Sequence, residues 1–141
     1  MSTDGFLQVI SSSRAERTGL FLTTAQRLGA PLINVEKDFW VCWTLNALYH
    51  RLPTDGPRLL FKGGTSLSKA YSLISRFSED IDVTVFRDDL GHPASPAKLA
   101  ALSNKKRKAT LDAIAEDCRT YVTTGMLASV SELLHEDTEG E

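Results

Sequence analysis

Two stretches carry residue types at spacings that suit chemistry: FKGGTSLSKAY, Phe61 to Tyr71, and RFSEDIDVTVF, Arg76 to Phe86. In the first, Gly63 and Gly64 part a short apolar run from a helical pattern. Glycine lets the backbone approach a ligand closely, and the exposed N–H groups of a helix start suit phosphate. Thr65 and Ser66 add hydroxyl donors at the same spot. In the second stretch Asp80 and Asp82 alternate along a β-rich run, which puts both carboxylates, with Thr84, on one face. Like charges that close need a cation, and the pair suits a hard divalent ion, Mg²⁺ or Mn²⁺, that also holds substrate phosphates. Phosphoryl transfer asks for such positioning and charge neutralisation and needs no nucleophilic side chain.

Positioning these groups requires a strand, a turn, a helix and a second strand. Arg58 to Lys62 reads as the first strand, Leu67, Ala70, Leu73 and Ile74 recur at helical spacing, and Asp80 to Phe86 is the second strand. Upstream, Ser11 to Ser13 split the span from Gly5 to Leu28 into two helical pieces, and Gly29-Ala30-Pro31 ends the second. Asn34 is the expected cap of a third helix with Glu36 in its first turn. Val35, Phe39, Cys42, Leu45, Tyr49 and Leu52, flanked by a stripe of Trp40, Trp43 and Ala47, make that helix apolar on most sides. Pro53 to Pro57 forces a turn, and Gly91 to Pro96 reads as a loop.

A long helix is expected from Ser103 to about Tyr121, opening on the basic run Lys105 to Lys108, and a last amphipathic piece from Met126 to Leu134. His135 to Glu141 reads as an acidic tail too polar to pack. The expectation is one α+β domain over 1–141: helices 5–52, the GGTS and Asp-x-Asp core 58–87, helices 103–134, tail 135–141. Its small mixed sheet is flanked by helices and left incomplete after Phe86, an open edge that favours self-association.

At 141 residues with 42% hydrophobic content the chain can bury a core without staples. Sixteen Lys and Arg against eighteen Asp and Glu leave a net charge of -2, so no global field draws it to nucleic acid or an anionic membrane. Cys42 and Cys118 are far apart, and His50, His92 and His135 lack metal-ligand spacing. No apolar run spans a bilayer and no secretory leader is evident, so a cytoplasmic, membrane-free protein is expected. Charges in Glu36, Lys37 and Asp38, and the basic run at Lys105, read first as solvated faces. Trp40 and Trp43 could stack a base, with core packing the simpler reading of their spacing.

From VEKDFW through GGTSLSKAY to RFSEDIDV, about Asn34 to Phe86, the sequence resembles the AbiEii/AbiGii family of nucleotidyltransferase-fold toxins from type IV toxin-antitoxin systems; the helix after Ser103 resembles it more loosely. The resemblance implies transfer of a nucleoside monophosphate from a nucleoside triphosphate to an acceptor, in some members the end of tRNA, under restraint by an antitoxin protein. It implies that Gly63, Gly64, Thr65 and Ser66 contact the triphosphate and that Asp80 and Asp82 hold the catalytic metals. Lys62, Lys69 and Arg76 are candidate cations for the departing pyrophosphate, and Lys69, about one turn into the helix, is favoured as both catalytic and nucleotide-binding. Family members run to about twice this length and carry a third carboxylate on a later strand, for which Asp88 and Asp89 are the nearest substitutes. The alternative expectation is a truncated or split member, a non-catalytic remnant that binds nucleotide or a partner protein.

Overall fold

The computed structural model describes residues 3–63 and 80–138. The serine break behaves as expected: α1 spans Thr3–Ile10 and α2 Arg14–Leu28. Ser13 caps α2 by accepting from the Glu16 backbone N–H at 3.3 Å, while Glu16 Oε2 accepts from the Ser13 backbone N–H at 3.0 Å. Two orphan donors of the first turn are thereby satisfied. Gly29, at φ +62, closes α2 by donating to the carbonyls of Ala25 and Gln26.

Helix α3, Leu32–Asn46, starts two residues before the expected cap. Pro31 takes the cap position, and Asn34 lies inside the first turn with its N–H on the Pro31 carbonyl. The helix then widens into a π turn, Ala47–Arg51.

The sheet of the described residues has two strands, β1 Leu59–Lys62 and β2 Asp82–Val85, both shorter than the apolar runs that signal them. They pair antiparallel, with Leu59 opposite Val85 and Lys62 opposite Asp82. A 3₁₀ turn, Arg87–Leu90, and a short helix α4, Pro96–Ala100, occupy the stretch after β2, so the expected loop ends in a helix. Helix α5, Asn104–Tyr121, follows the expected span, and Ser103 caps it by accepting from the Lys106 backbone N–H. Arg107, one of the four basic residues in its first turns, donates to the carbonyls of Leu99, Ala100 and Leu102 and so closes α4. Gly125 does not break the chain: a π turn, Val122–Met126, leads directly into α6, Leu127–Thr138.

The core belongs to the helices. Phe6, Ile10, Trp43 and Ala47 form one buried cluster, covered by Phe39, Trp40, Cys42 and by Val130 and Leu133 of α6. Val9, Phe21, Ala25 and Val35 form a second, joined to the first through Phe39. Phe39 meets Phe6, Phe21 and Trp40 at ring separations of 5.7, 5.5 and 5.2 Å, the offset contacts aromatic quadrupoles prefer.

The predicted acidic tail is corrected by the same packing. His135 to Thr138 continue α6, and Asp137 is buried, its side chain only 4% exposed. It accepts from Arg51 at 2.6 and 2.9 Å and from the Trp43 indole at 2.8 Å. A charge that deep is tolerable only because a guanidinium fork and an indole N–H replace its water.

Candidate functional site

Strand β1 ends just before Gly63 and β2 opens on Asp82, so antiparallel pairing brings Gly63 and Asp82 to one end of the strand pair. Lys62 and Asp82 are directly opposed, which puts their side chains on one sheet face, and both are exposed. Gly63 follows at φ +75, a backbone conformation that side chains with a Cβ rarely adopt. A Cβ built on Gly63 would lie 1.8 Å from Asp82 Oδ2, 2.6 Å from its Cγ and 2.8 Å from its Cβ. Because even the Asp82 Cβ is too close, no rotamer change relieves the clash. Glycine is required at Gly63 both by its φ and by the carboxylate packed over it.

Asp80 and Ile81 precede β2, so strand pairing places Asp82 and Thr84 and does not fix Asp80 on their face as the alternation predicts. Asp80 is exposed, and Ile81, between the two acids, is half-buried. Gly64, Thr65, Ser66, Lys69 and Arg76, with the expected helix around Leu67, lie outside the described residues. Lys62, passed over in favour of Lys69 on sequence, is the cation that the register sets beside Asp82.

The other end of the hairpin shows why Asp89 is no spare ligand. Its carboxylate accepts from the Arg58 backbone N–H at 2.9 Å and from the Arg58 guanidinium at 2.8 and 3.0 Å. These bonds hold its carboxyl below the ordinary carboxylate range, and Arg58 also lies 4.8 Å over the Phe86 ring. Asp89 therefore clasps the hairpin's open end, remote in register from Lys62 and Asp82. Among the described residues no group of three or more His, Cys, Asp or Glu converges as a metal cluster.

A cavity of about 500 Å³ opens between α3 and Ile81, lined by Glu36, Lys37, Trp40, Val41 and Thr44. The two tryptophans of the α3 stripe thus separate: Trp43 is core, 3% exposed, whereas Trp40 borders this cavity. The helical spacing of Glu36, Trp40 and Thr44 was visible in the sequence; its opposition to Ile81 was not.

An α+β domain in which a glycine turn abuts an acidic strand has the arrangement expected of a nucleotidyltransferase-type fold. The chain belongs to the AbiEii family: the model described as nucleotidyl transferase AbiEii toxin, type IV TA system, matches residues 46–140. The match begins at the last residue of α3, crosses both strands and takes in α5 and α6, the region where the sequence resemblance was looser. No curated protein and no solved structure matches the chain. No helix among the described residues is long and apolar enough to cross a membrane.

Proposed function

We propose that this chain is a metal-dependent nucleotidyltransferase, moving a nucleoside monophosphate from a nucleoside triphosphate to an acceptor such as tRNA, as the toxin of a cytoplasmic toxin-antitoxin pair whose antitoxin protein restrains it. The observation that carries the reading is the enforced contact between Gly63 and Asp82, which joins the phosphate-type turn to the acidic strand at one point. Family membership supplies the reaction class.

The residue types fit a hard divalent cation, since Asp82 stands exposed at the start of β2 and Asp80, also exposed, lies two residues before it. Mg²⁺ or Mn²⁺, when bound, would neutralise charge on the transferring phosphate. Gly63 lets the backbone turn tightly beneath the Asp82 carboxylate, and Lys62 adds a positive charge on the face of Asp82 that suits a phosphate. The acceptor hydroxyl oxygen bonds to the α-phosphorus as the bond to the β-phosphate oxygen breaks, pyrophosphate leaves, and the hydroxyl proton passes to solvent. Gly64, Thr65, Ser66 and Lys69 are assigned to the phosphates by the family resemblance.

Calorimetric titration with the four nucleoside triphosphates and Mg²⁺, with Asp80→Ala/Asp82→Ala as control, tests the proposal. Metal-dependent binding that the control loses is expected, followed by pyrophosphate release when RNA acceptors are added. A folded chain that binds no triphosphate overturns the reading in favour of a non-catalytic remnant.

A further inference from the structure

We infer that the cavity between α3 and Ile81 is a nucleobase subsite in which Trp40 is the stacking surface and Glu36 the group that reads the base edge. The inference rests on the transferase reading for its ligand but on separate residues for its geometry.

Glu36, Trp40 and Thr44 recur at intervals of four, so they form one row along α3, with Lys37 and Val41 in the adjacent row. Opposite them stands Ile81, which lies between Asp80 and Asp82 in the chain, so the cavity wall is one residue along the backbone from each acid. Trp40 is pinned edge-to-face by Phe39 at 5.2 Å and by Trp43 at 6.0 Å, which makes it a rigid wall. Thr44 donates its hydroxyl proton to the Trp40 carbonyl at 2.8 Å and so presents an acceptor.

The lining selects the ligand. An indole between aliphatic walls suits a flat ring, and stacking of a base on an aromatic side chain contributes about 1–3 kcal/mol. A carboxylate accepts from base N–H groups, and a neighbouring ammonium suits a base carbonyl oxygen. A phosphate would be repelled by Glu36, and a wholly apolar ligand would desolvate the Glu36 carboxylate without compensating it. The volume falls within the roughly 300–1,000 Å³ of ordinary small-ligand sites.

The test is tryptophan fluorescence titrated with the four uncharged nucleosides and, separately, with inorganic tripolyphosphate. The chain has two tryptophans, and Trp43 is sealed in the core, so stacking reports through Trp40. Nucleosides are expected to quench and tripolyphosphate is not; Trp40→Phe should abolish the quench, and Glu36→Gln should reorder the four nucleosides by at least about fivefold in apparent affinity. Quenching by no nucleoside overturns the inference, as does full quenching retained in Trp40→Phe. If Trp40→Phe fails to fold, an unchanged ranking in Glu36→Gln overturns it instead. Asp80→Ala/Asp82→Ala should leave nucleoside quenching intact, so loss of triphosphate binding alone marks failure of the transferase reading and not of the cavity. A triphosphate that saturates the signal at a lower concentration than its nucleoside assigns the base to the donor; a short single-stranded RNA that does so where triphosphates do not assigns it to the acceptor.

Discussion

Two aspartates stand against cations in different parts of this molecule, and their surroundings differ in every respect that matters. Asp137, in the helical core, is 4% exposed and receives three hydrogen bonds from Arg51 and Trp43. Asp82, on the hairpin, is exposed, stands opposite Lys62 and packs over a glycine that no other residue can replace. A carboxylate whose acceptor capacity is consumed by the fold stabilises it; a carboxylate held at a solvent-facing turn keeps its oxygens available to a ligand. Stability resides in α1, α2, α3 and α6, and the candidate chemistry resides in β1, β2 and Gly63 at the end of β1.

Substituting each acid should split these roles. Asp82→Asn is expected to lower nucleotidyl transfer by at least about a hundredfold, because it removes a metal-binding charge while keeping side-chain size. Its melting temperature should stay within about 2 °C of the parent, as expected for an exposed position. Unchanged transfer would remove Asp82 from the site. Asp137→Asn is expected to do the reverse, costing about 2–3 kcal/mol in urea unfolding by leaving Arg51 with only the longer, exposed Glu136 contact at 3.8 Å. Nucleotide binding per folded molecule should be retained.

The same acid sets a pH limb. Burial pushes the Asp137 carboxyl up, but the Arg51 and Trp43 hydrogen bonds and the Arg51 charge together outweigh it and hold the group below the ordinary carboxylate range. A group lowered in the folded state contributes stability above its unfolded value, near pH 4, and loses it as the pH falls through the folded value. Thermal melts at pH 7, 5, 4 and 3 should therefore show an acid loss in the parent that is shallower in Asp137→Asn. Equal acid slopes would assign the acid sensitivity to other carboxylates.

Local chemistry made much of this legible from sequence. The break at Ser11 to Ser13, the stop at Gly29, the helical pattern from Ser103 and the Asp-x-Asp run each signal their own element within a few residues, because helix ends and φ preferences are short-range. The failures are long-range. Asp137 looks like a tail residue until Arg51 and Trp43, 86 and 94 positions away, come into reach. Trp40 and Trp43 look alike in one stripe until α6 covers one and Ile81 faces the other. Lys62 gains meaning only through the strand register, and Asn34 lost its cap role to Pro31, whose fixed φ already suits a helix start.

Two glycines with nearly equal φ sharpen the contrast between the regions. Gly29 at φ +62 has nothing within 4 Å of a built Cβ, while Gly63 at φ +75 has the Asp82 side chain. Gly29→Ala should cost about 1 kcal/mol of conformational strain alone. Gly63→Ala should cost more and should also weaken Mg²⁺-dependent nucleotide binding, because β2 must shift to clear the new methyl group. Equal effects on stability, with binding intact, would mean that the contact between turn and acid strand has no functional weight.

The smallest effect is expected where the two regions touch. Tyr49, in the π turn after α3, packs its ring 6.0 Å from Phe61 of β1, and burial raises its hydroxyl pKa. The hydroxyl is buried and finds no hydrogen-bond partner among the described residues. An unsatisfied buried hydroxyl costs about 1–3 kcal/mol relative to a satisfied one, so removing it should be neutral or favourable. Tyr49→Phe keeps the ring contact and is expected to change stability by between zero and about +1 kcal/mol in denaturant unfolding. Tyr49→Leu, which loses the ring contact with Phe61, should be less stable than Tyr49→Phe. If instead Tyr49→Phe is the more damaging of the two, the hydroxyl and not the ring ties the helical core to the hairpin, and the division between a stabilising core and a separately standing site gives way to a polar link between them.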